Sequence, residues 1–392
     1  MTTTFLRLCL NSPRDPQALA AALALAGGLD WAGVARQAQA ASLEALLYQQ
    51  LKPHDDLLPP AVAAAWQAAY RYNAQRQLYL AHQLGQALAA LNAAGVPVLL
   101  LKGAALAHTL YDHPAGRPFR DLDLLIRPGQ TTAAFATLRQ LGYTPHHPEP
   151  HPGVTRQFEN EMLWQRPGPI VTYLDLHWQL LDSPHYQARL DSTWLWQTAV
   201  TSTPASLPFA LRHLGPEAQL LHLCAHLLLH HGGQELLWRN DIAAHLYHTQ
   251  ATLDWDLLLR QAARSDLLLP LQTLLPDLAA QWAAPVPAGV LAQLATCQPT
   301  PAEQRIFRWR RQANARPVLQ RFWYDLASMP GWRPRLRYAL VHLFPGRDYM
   351  RQRYPLRHPR LWPLTYPYRW LHGLFQALSK SDLTDFPKSV RS

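Results

Sequence analysis

Two stretches, Val98-Leu-Leu-Leu-Lys-Gly103 and Arg117-Pro-Phe-Arg-Asp-Leu-Asp-Leu-Leu-Ile126, decide the fold class of this 392-residue chain. Val98–Leu101 is a short continuous apolar run, the pattern of a strand buried on both faces. Lys102-Gly103 ends it, and Ala104–Tyr111 reads as a helix. A polar loop with His113-Pro114, Gly116 and Pro118 leads to Asp121–Ile126, whose alternation predicts a second strand. Side chains at i and i+2 of a strand share a face, so Asp121 and Asp123 project together and Leu122 and Leu124 face the other way.

Working outward, Pro128-Gly129 turns the chain into a helix over about Thr131–Leu141, and strands are expected near Gln157–Trp164 and Ile170–Trp178. Upstream, residues 13–93 are rich in Ala, Leu and Gln, and Leu78, Leu80, Leu84, Leu88 and Leu91 mark helical spacing. Downstream of about Leu190 the pattern is helical again, in Pro216–His248, Trp255–Ala263 and Leu267–Trp282. The expected fold is therefore α+β: a small mixed β-sheet core flanked by N-terminal and C-terminal helical regions, not a doubly wound sheet. The expected parts are helical 1–93, an α/β core 94–185, a helical domain 186–298 and a basic, aromatic- and proline-rich region 299–392.

Hydrophobic residues make up 48% and charged residues 16% of the chain, which excludes disordered and collagen-like classes. No apolar run reaches the roughly 18 residues that span a bilayer. Met1-Thr-Thr-Thr-Phe-Leu-Arg7 has no basic segment leading into an apolar one, so no signal peptide is expected. Cys9, Cys224 and Cys297 are far apart and fit a reducing compartment, which makes a cytoplasmic location the expectation.

The net charge of +10 is unevenly placed: fifteen arginines and two acids, Asp325 and Asp348, lie between Arg305 and Arg369. That segment carries +13 and the remainder −3. Its arginines interleave with aromatics, as in Trp332-Arg-Pro-Arg-Leu-Arg-Tyr338, which suits a lipid headgroup interface or single-stranded nucleic acid. A helical appendage that packs its aromatics and exposes its arginines has the same composition. The expectation carried forward is peripheral contact with the inner face of the membrane through residues 305–375. Nucleic acid is disfavoured because the basic segment lies outside the core.

Asp121 and Asp123, close together on one strand face, repel each other unless a cation lies between them. Mg²⁺, or Mn²⁺, is the hard oxygen-seeking ion for such a pair. A third carboxylate would serve as a further metal ligand, allowing a second metal and activation of an attacking hydroxyl. Asp175 is that candidate, in Val171-Thr-Tyr-Leu-Asp-Leu-His177, where it alternates with Tyr173 and His177. Gly103 at a strand-to-helix turn lets backbone N–H groups approach a phosphate, with Ala104 following it. Lys102, Arg117 and Arg120 add positive charge for a triphosphate. Each element alone has a plainer reading: a solvated acidic edge salt-bridged to Arg117 and Arg120, a surface lysine, a turn glycine. Their order along the chain is what favours a site. His222, His226 and His230 recur every four residues and share a helix face. Of these, His226 and His230, with His177, are candidates for an acceptor pocket, although no nearby Cys or Glu completes a zinc-type ligand set.

The stretches Val98–Tyr111 and Arg117–Ile126 resemble the uncharacterised nucleotidyltransferase family of the DNA polymerase β-like superfamily. Leu174-Asp-Leu-His-Trp178 resembles its third-carboxylate strand. Leu220–His230 with Trp238-Arg-Asn-Asp241 resembles its helical part, so the likeness spans about 40–285. The resemblance implies that Asp121 and Asp123 hold metal and nucleotide and that Asp175 helps activate the acceptor. It implies an NTP donor and an unassigned acceptor, here expected to be a small molecule or a glycan, lipid-linked or peptide intermediate. The turn departs from the superfamily pattern, Gly103 being followed by Ala104 in place of Gly or Ser. The alternative reading is a non-catalytic nucleotide-binding or membrane-associated assembly protein on the same fold. The orientation of Asp175 separates the two.

Overall fold

In the computed structural model the apolar run and the acidic alternation become antiparallel neighbours, β1 (Leu99–Leu100) and β2 (Asp121–Leu125), with Leu100 opposite Leu124. The structure describes residues 1–311, 318–329, 331–354 and 358–378; parts of the basic region, Arg316 and Arg357 among them, lie outside it. The remaining strands are β3 (Thr144–Pro145), β4 (Glu161–Arg166), β5 (Thr172–His177), β6 (Val200–Ser202) and β7 (Leu211–His213). They form one mixed sheet in the order β3-β4-β5-β2-β1-β7-β6, with helices around it. This is the α+β class expected.

Three local differences from the sequence reading have physical causes. The strand expected from Gln157 begins at Glu161, because Val154–Phe158 is a short helix. Strands β6 and β7 lie where helices are expected; each is three residues long, too short to display a period of two. Leu78 is exposed, whereas Leu80, Leu84 and Leu91 are buried, so the apolar stripe of the Pro60–Ala93 helix excludes it.

The sheet separates two cores. Leu100, Leu122, Leu124, Leu174 and Leu176 pack with Leu80, Leu84, Phe135 and Leu138, which come from the Pro60–Ala93 and Thr131–Gln140 helices. Leu99, Leu101 and Leu125, alternating with these along the same strands, join the second core with the helices Pro216–His230 and Leu268–Trp282. Phe5, Leu6 and Leu10 of the first helix, Thr2–Asn11, lie in that second core too. The two helical flanks thus share one apolar interior, and at its exposed margin Arg7 donates to the carbonyl of Gln281. No helix of the described residues is long and apolar enough to cross a membrane.

The loop that precedes the acidic strand is held from two sides. From the Pro60–Ala93 helix, Asn73 donates to the Ala115 carbonyl, Arg76 to those of Phe119 (2.6 Å) and Arg120 (2.9 Å), and Gln77 to that of Arg117 (2.9 Å). These three side chains sit at helical spacing on one face. From the other side, Asp241 on the Leu236–Thr249 helix accepts from Arg117 Nη2 at 2.6 Å and Nε at 3.1 Å. Tyr111 donates to the same carboxylate at 2.6 Å. Arg117 and Asp241 are both buried, so their charges depend on each other. Asp241→Ala strands a buried guanidinium and is expected to lower the unfolding free energy by about 3–5 kcal/mol. Urea denaturation measures it, and a midpoint equal to wild type would show that the pair does not hold the loop.

Candidate metal and nucleotide site

Parallel pairing of β2 with β5 sets the site. The register places Asp121 beside Tyr173, Asp123 beside Asp175 and Leu125 beside His177. Residues in register on neighbouring strands project from the same face, so Asp123, Asp175 and His177 converge. One ligand atom from each lies within 4.8 Å of the others. Asp121 is one pleat back on the same face and is also buried.

Two cations already sit among these acids. Lys102 Nζ is 2.7 Å from Asp123 Oδ1, and His177 Nε2 donates to the same oxygen at 3.0 Å. His177 Nδ1 is 2.8 Å from Glu161 Oε2 on β4, and its Nε2 is 3.8 Å from Asp175 Oδ2. Lys102 reaches Asp123 from a left-handed backbone conformation, φ +46°, which costs an L-residue about 1–2 kcal/mol.

The charges respond accordingly. Burial opposes ionisation of Asp123, but Lys102 and His177 outweigh it and hold its carboxyl below the usual range. Burial also opposes the charge on Lys102, yet Asp123, Glu161 and Asp175 keep its ammonium above the ordinary lysine value. His177 is desolvated and repelled by Lys102, but Glu161, Asp175 and Asp123 raise it to about 10, so the ring is an imidazolium. Asp175 goes the other way: burial, Glu161 and Asp123 push its carboxyl up to about 7 against the pull of His177 and Lys102. Asp121 is raised well above the carboxylate range by burial and by Asp123.

Asp123 Oδ2 and Asp175 Oδ1 are buried and have no hydrogen-bond partner within the protein. A buried carboxylate oxygen without a donor is costly, and a divalent cation satisfies two such oxygens at once. The donor set therefore fits a hard metal ion, held by Asp123 and Asp175 with Asp121 alongside.

The other expected residues divide. Lys102 lies in the acid cluster, whereas Arg117 is buried and bound to Asp241, a buried guanidinium needing a carboxylate that desolvates with it. Arg120 is exposed and donates to Ser42 Oγ at 3.4 Å. The Lys102–Thr109 helix begins at the lysine, so the N–H groups of Gly103 and Ala104 are in its first turn, where backbone donors are left for an anion. The Ala104 methyl itself belongs to the core with Leu100 and Leu122. Gly103 is also required by packing: a Cβ there would lie 2.8 Å from Phe119 Cβ and 3.1 Å from Arg117 Nη1.

His226 and His230 lie on the Pro216–His230 helix with their rings stacked, centroids 4.9 Å apart. His226 Nε2 is 3.0 Å from His231 Nε2, and Trp238 packs on both rings. His230 Nε2 is 3.5 Å from Asp182 Oδ1, which in turn shares its carboxylate with Arg310. His222, one turn earlier, is buried with neither ring nitrogen hydrogen-bonded. Its protonation is suppressed by burial and by the charges of Lys102 and His177.

Sequence reading misses Glu161. The signal is present in the alternation Glu161, Leu163, Gln165, but its meaning depends on the antiparallel register that sets Glu161 opposite His177. Asp241 as the partner of Arg117 is missed for the same kind of reason, the two being 124 residues apart.

A model of an uncharacterised nucleotidyltransferase family matches residues 27–283, and the chain belongs to that family. Among solved structures it is similar to the crystal structure of an antigenic nucleotidyltransferase-like protein from Paracoccidioides brasiliensis, with a TM-score of 0.33 and 16% identity. That match covers 56% of this chain and 96% of the other. No curated protein matches.

Gly103→Ala puts a methyl where Phe119 and Arg117 already sit, an overpacking expected to cost about 1–3 kcal/mol. Thermal unfolding with and without nucleotide checks it, and an unchanged melting temperature would mean that the turn has room to spare.

Proposed function

We propose that the protein transfers a nucleoside monophosphate from an NTP to a hydroxyl or phosphate acceptor, by metal-assisted in-line displacement, in the cytoplasm. The observation that carries the reading is the parallel register of Asp123 with Asp175, which sets side by side two carboxylates that each keep one buried, unpartnered oxygen. Membership of a nucleotidyltransferase family supports an NTP donor. The unpaired cysteines are compatible with a reducing compartment.

In this reading Asp121, Asp123 and Asp175 would hold Mg²⁺ or Mn²⁺ with the nucleotide phosphates. When bound, the ion supplies charge neutralisation at the transferring phosphoryl group. Asp175 accepts the acceptor's proton, a role that suits a carboxyl raised to about 7 because it is then a stronger base than an ordinary aspartate. The N–H groups of Gly103 and Ala104, with Lys102 and Arg120, bind the triphosphate. Arg117 acts indirectly, fixing the loop through Asp241. His177 fixes the orientation of Asp123 and, with His226 and His230, borders the acceptor pocket. The acceptor class is a small molecule or a glycan, lipid-linked or peptide intermediate of a biosynthetic pathway.

Two measurements test the reading. Labelled NTPs, Mg²⁺ and cell extract should yield a labelled acceptor, and Asp121→Ala/Asp123→Ala should reduce that labelling at least ~100-fold. Labelling that survives the double substitution sinks the mechanism. Separately, a proton on Asp175 competes with the ion, so apparent Mn²⁺ affinity should climb as pH rises from below to above about 7 and then level off. Mn²⁺ electron paramagnetic resonance titrations report this directly. Affinity that is flat across that range, or a slope kept by Asp175→Asn, removes Asp175 from the metal site.

A further inference from the structure

Eleven of the sixteen exposed large apolar side chains among the described residues lie between Trp323 and Leu371, while the other five are scattered through the first 200 residues. Single exposed apolar residues need no explanation, but a concentrated set marks a contact surface. The Trp332–Leu343 helix shows its geometry. Trp332, Leu336, Leu340 and Leu343 recur at helical spacing and are 68%, 51%, 47% and 44% exposed. Tyr338, on the opposite side, is buried against Phe158 and Phe322. The helix is thus amphipathic twice over, with one apolar side packed and one apolar stripe facing outward.

A second stripe continues the first. Leu364 and, in the Thr365–Leu378 helix, Tyr368 and Leu371 are exposed at similar spacing. The Trp370 indole donates to the Leu343 carbonyl at 2.9 Å, and the rings of Phe344 and Trp370 meet edge to face at 5.4 Å. The face is anchored to the body of the protein: Gly346 N–H donates to the Pro150 carbonyl at 2.6 Å, and His151 Nε2 donates to that of Phe344 at 2.7 Å.

Charge selects the occupant. The described residues from 331 to 373 hold eight arginines, no lysine and a single acid, Asp348. Arg333 stacks over the Trp332 ring at 5.5 Å, and Arg337, Arg347 and Arg360 are exposed. A second copy of this face would bring arginine against arginine. Single-stranded nucleic acid would call for aromatic platforms, whereas six of the eleven outward side chains here are leucines, which do not stack on bases. Leucines with the two tryptophans Trp332 and Trp370, rimmed by arginines, match an anionic bilayer surface, with acyl chains for the stripe and phosphates for the guanidinium groups.

We propose that the face formed by the Trp332–Leu343 helix and the Leu361–Leu371 segment docks the protein on anionic phospholipid. The proposal does not depend on the chemistry at the acidic site. The test is flotation of the full chain with vesicles of phosphatidylcholine alone and of phosphatidylcholine with phosphatidylglycerol, at low and high salt. Flotation is expected only with the anionic vesicles and should weaken as salt rises. Leu336→Glu/Leu340→Glu should reduce it at least ~tenfold, with the melting temperature unchanged because both leucines are exposed. Arg333→Glu/Arg337→Glu should reduce it independently. The proposal is overturned if wild type does not float, if neutral vesicles serve equally well, or if both double variants float like wild type. It is also overturned if wild type leaves vesicles alone but retains single-stranded RNA, or forms a dimer that Leu336→Glu/Leu340→Glu dissociates.

Discussion

Carboxylates gathered on one buried face of two adjacent strands are the constraint around which this molecule is arranged. Asp121, Asp123 and Asp175 cannot all be ionised in a desolvated place without positive charge among them. Lys102 and His177 provide it, and each has been positioned at some cost. Lys102 holds a left-handed backbone to deliver its ammonium. His177 is kept protonated by Glu161, a residue on a third strand. The aspartates consequently differ: Asp123, bonded by both cations, is held ionised, while Asp121 and Asp175 are pushed toward the protonated form. Such divergence between neighbouring carboxyls is a mark of a candidate functional cluster.

The helical regions serve this arrangement more than they decorate it. The polar loop between the lysine and the acids would be mobile on its own. Asn73, Arg76 and Gln77 hold its carbonyls from one helix, and Asp241 holds its arginine from another. The close approach of Phe119 to Gly103 then fixes the turn against the loop. Asp241 also accepts from Tyr111, so the turn helix and the loop are tied to one buried carboxylate.

The strand carrying the acids is legible in the sequence because its alternation runs long enough to show a period and ends at a proline-glycine turn. The Lys102-Gly103 turn is legible because only a few residue types end an apolar strand in that way. Strands β6 and β7 are not, since three residues offer no period. Arg117 is read as a phosphate ligand because proximity in sequence to an acidic pair is the visible signal, while its partner Asp241 is far along the chain. Glu161 is invisible as a site residue until register is known, because a lone glutamate at the start of a strand has many plainer explanations. What the sequence carries is therefore local pattern; what it withholds is which distant charge each buried charge has found.

The shared core of the two helical flanks has a consequence for how the chain is made. Arg7 and Gln281 are 274 positions apart, and the apolar side chains of the first helix lie in the same interior as Trp282 and Phe307. At roughly 5–20 residues per second, synthesis leaves the first helix without that covering for about 15–55 seconds. During that interval its leucines are available to chaperones or to other nascent chains. The acid face of the sheet waits for the same closing helices, so the acidic cluster is among the last parts of the molecule to be enclosed.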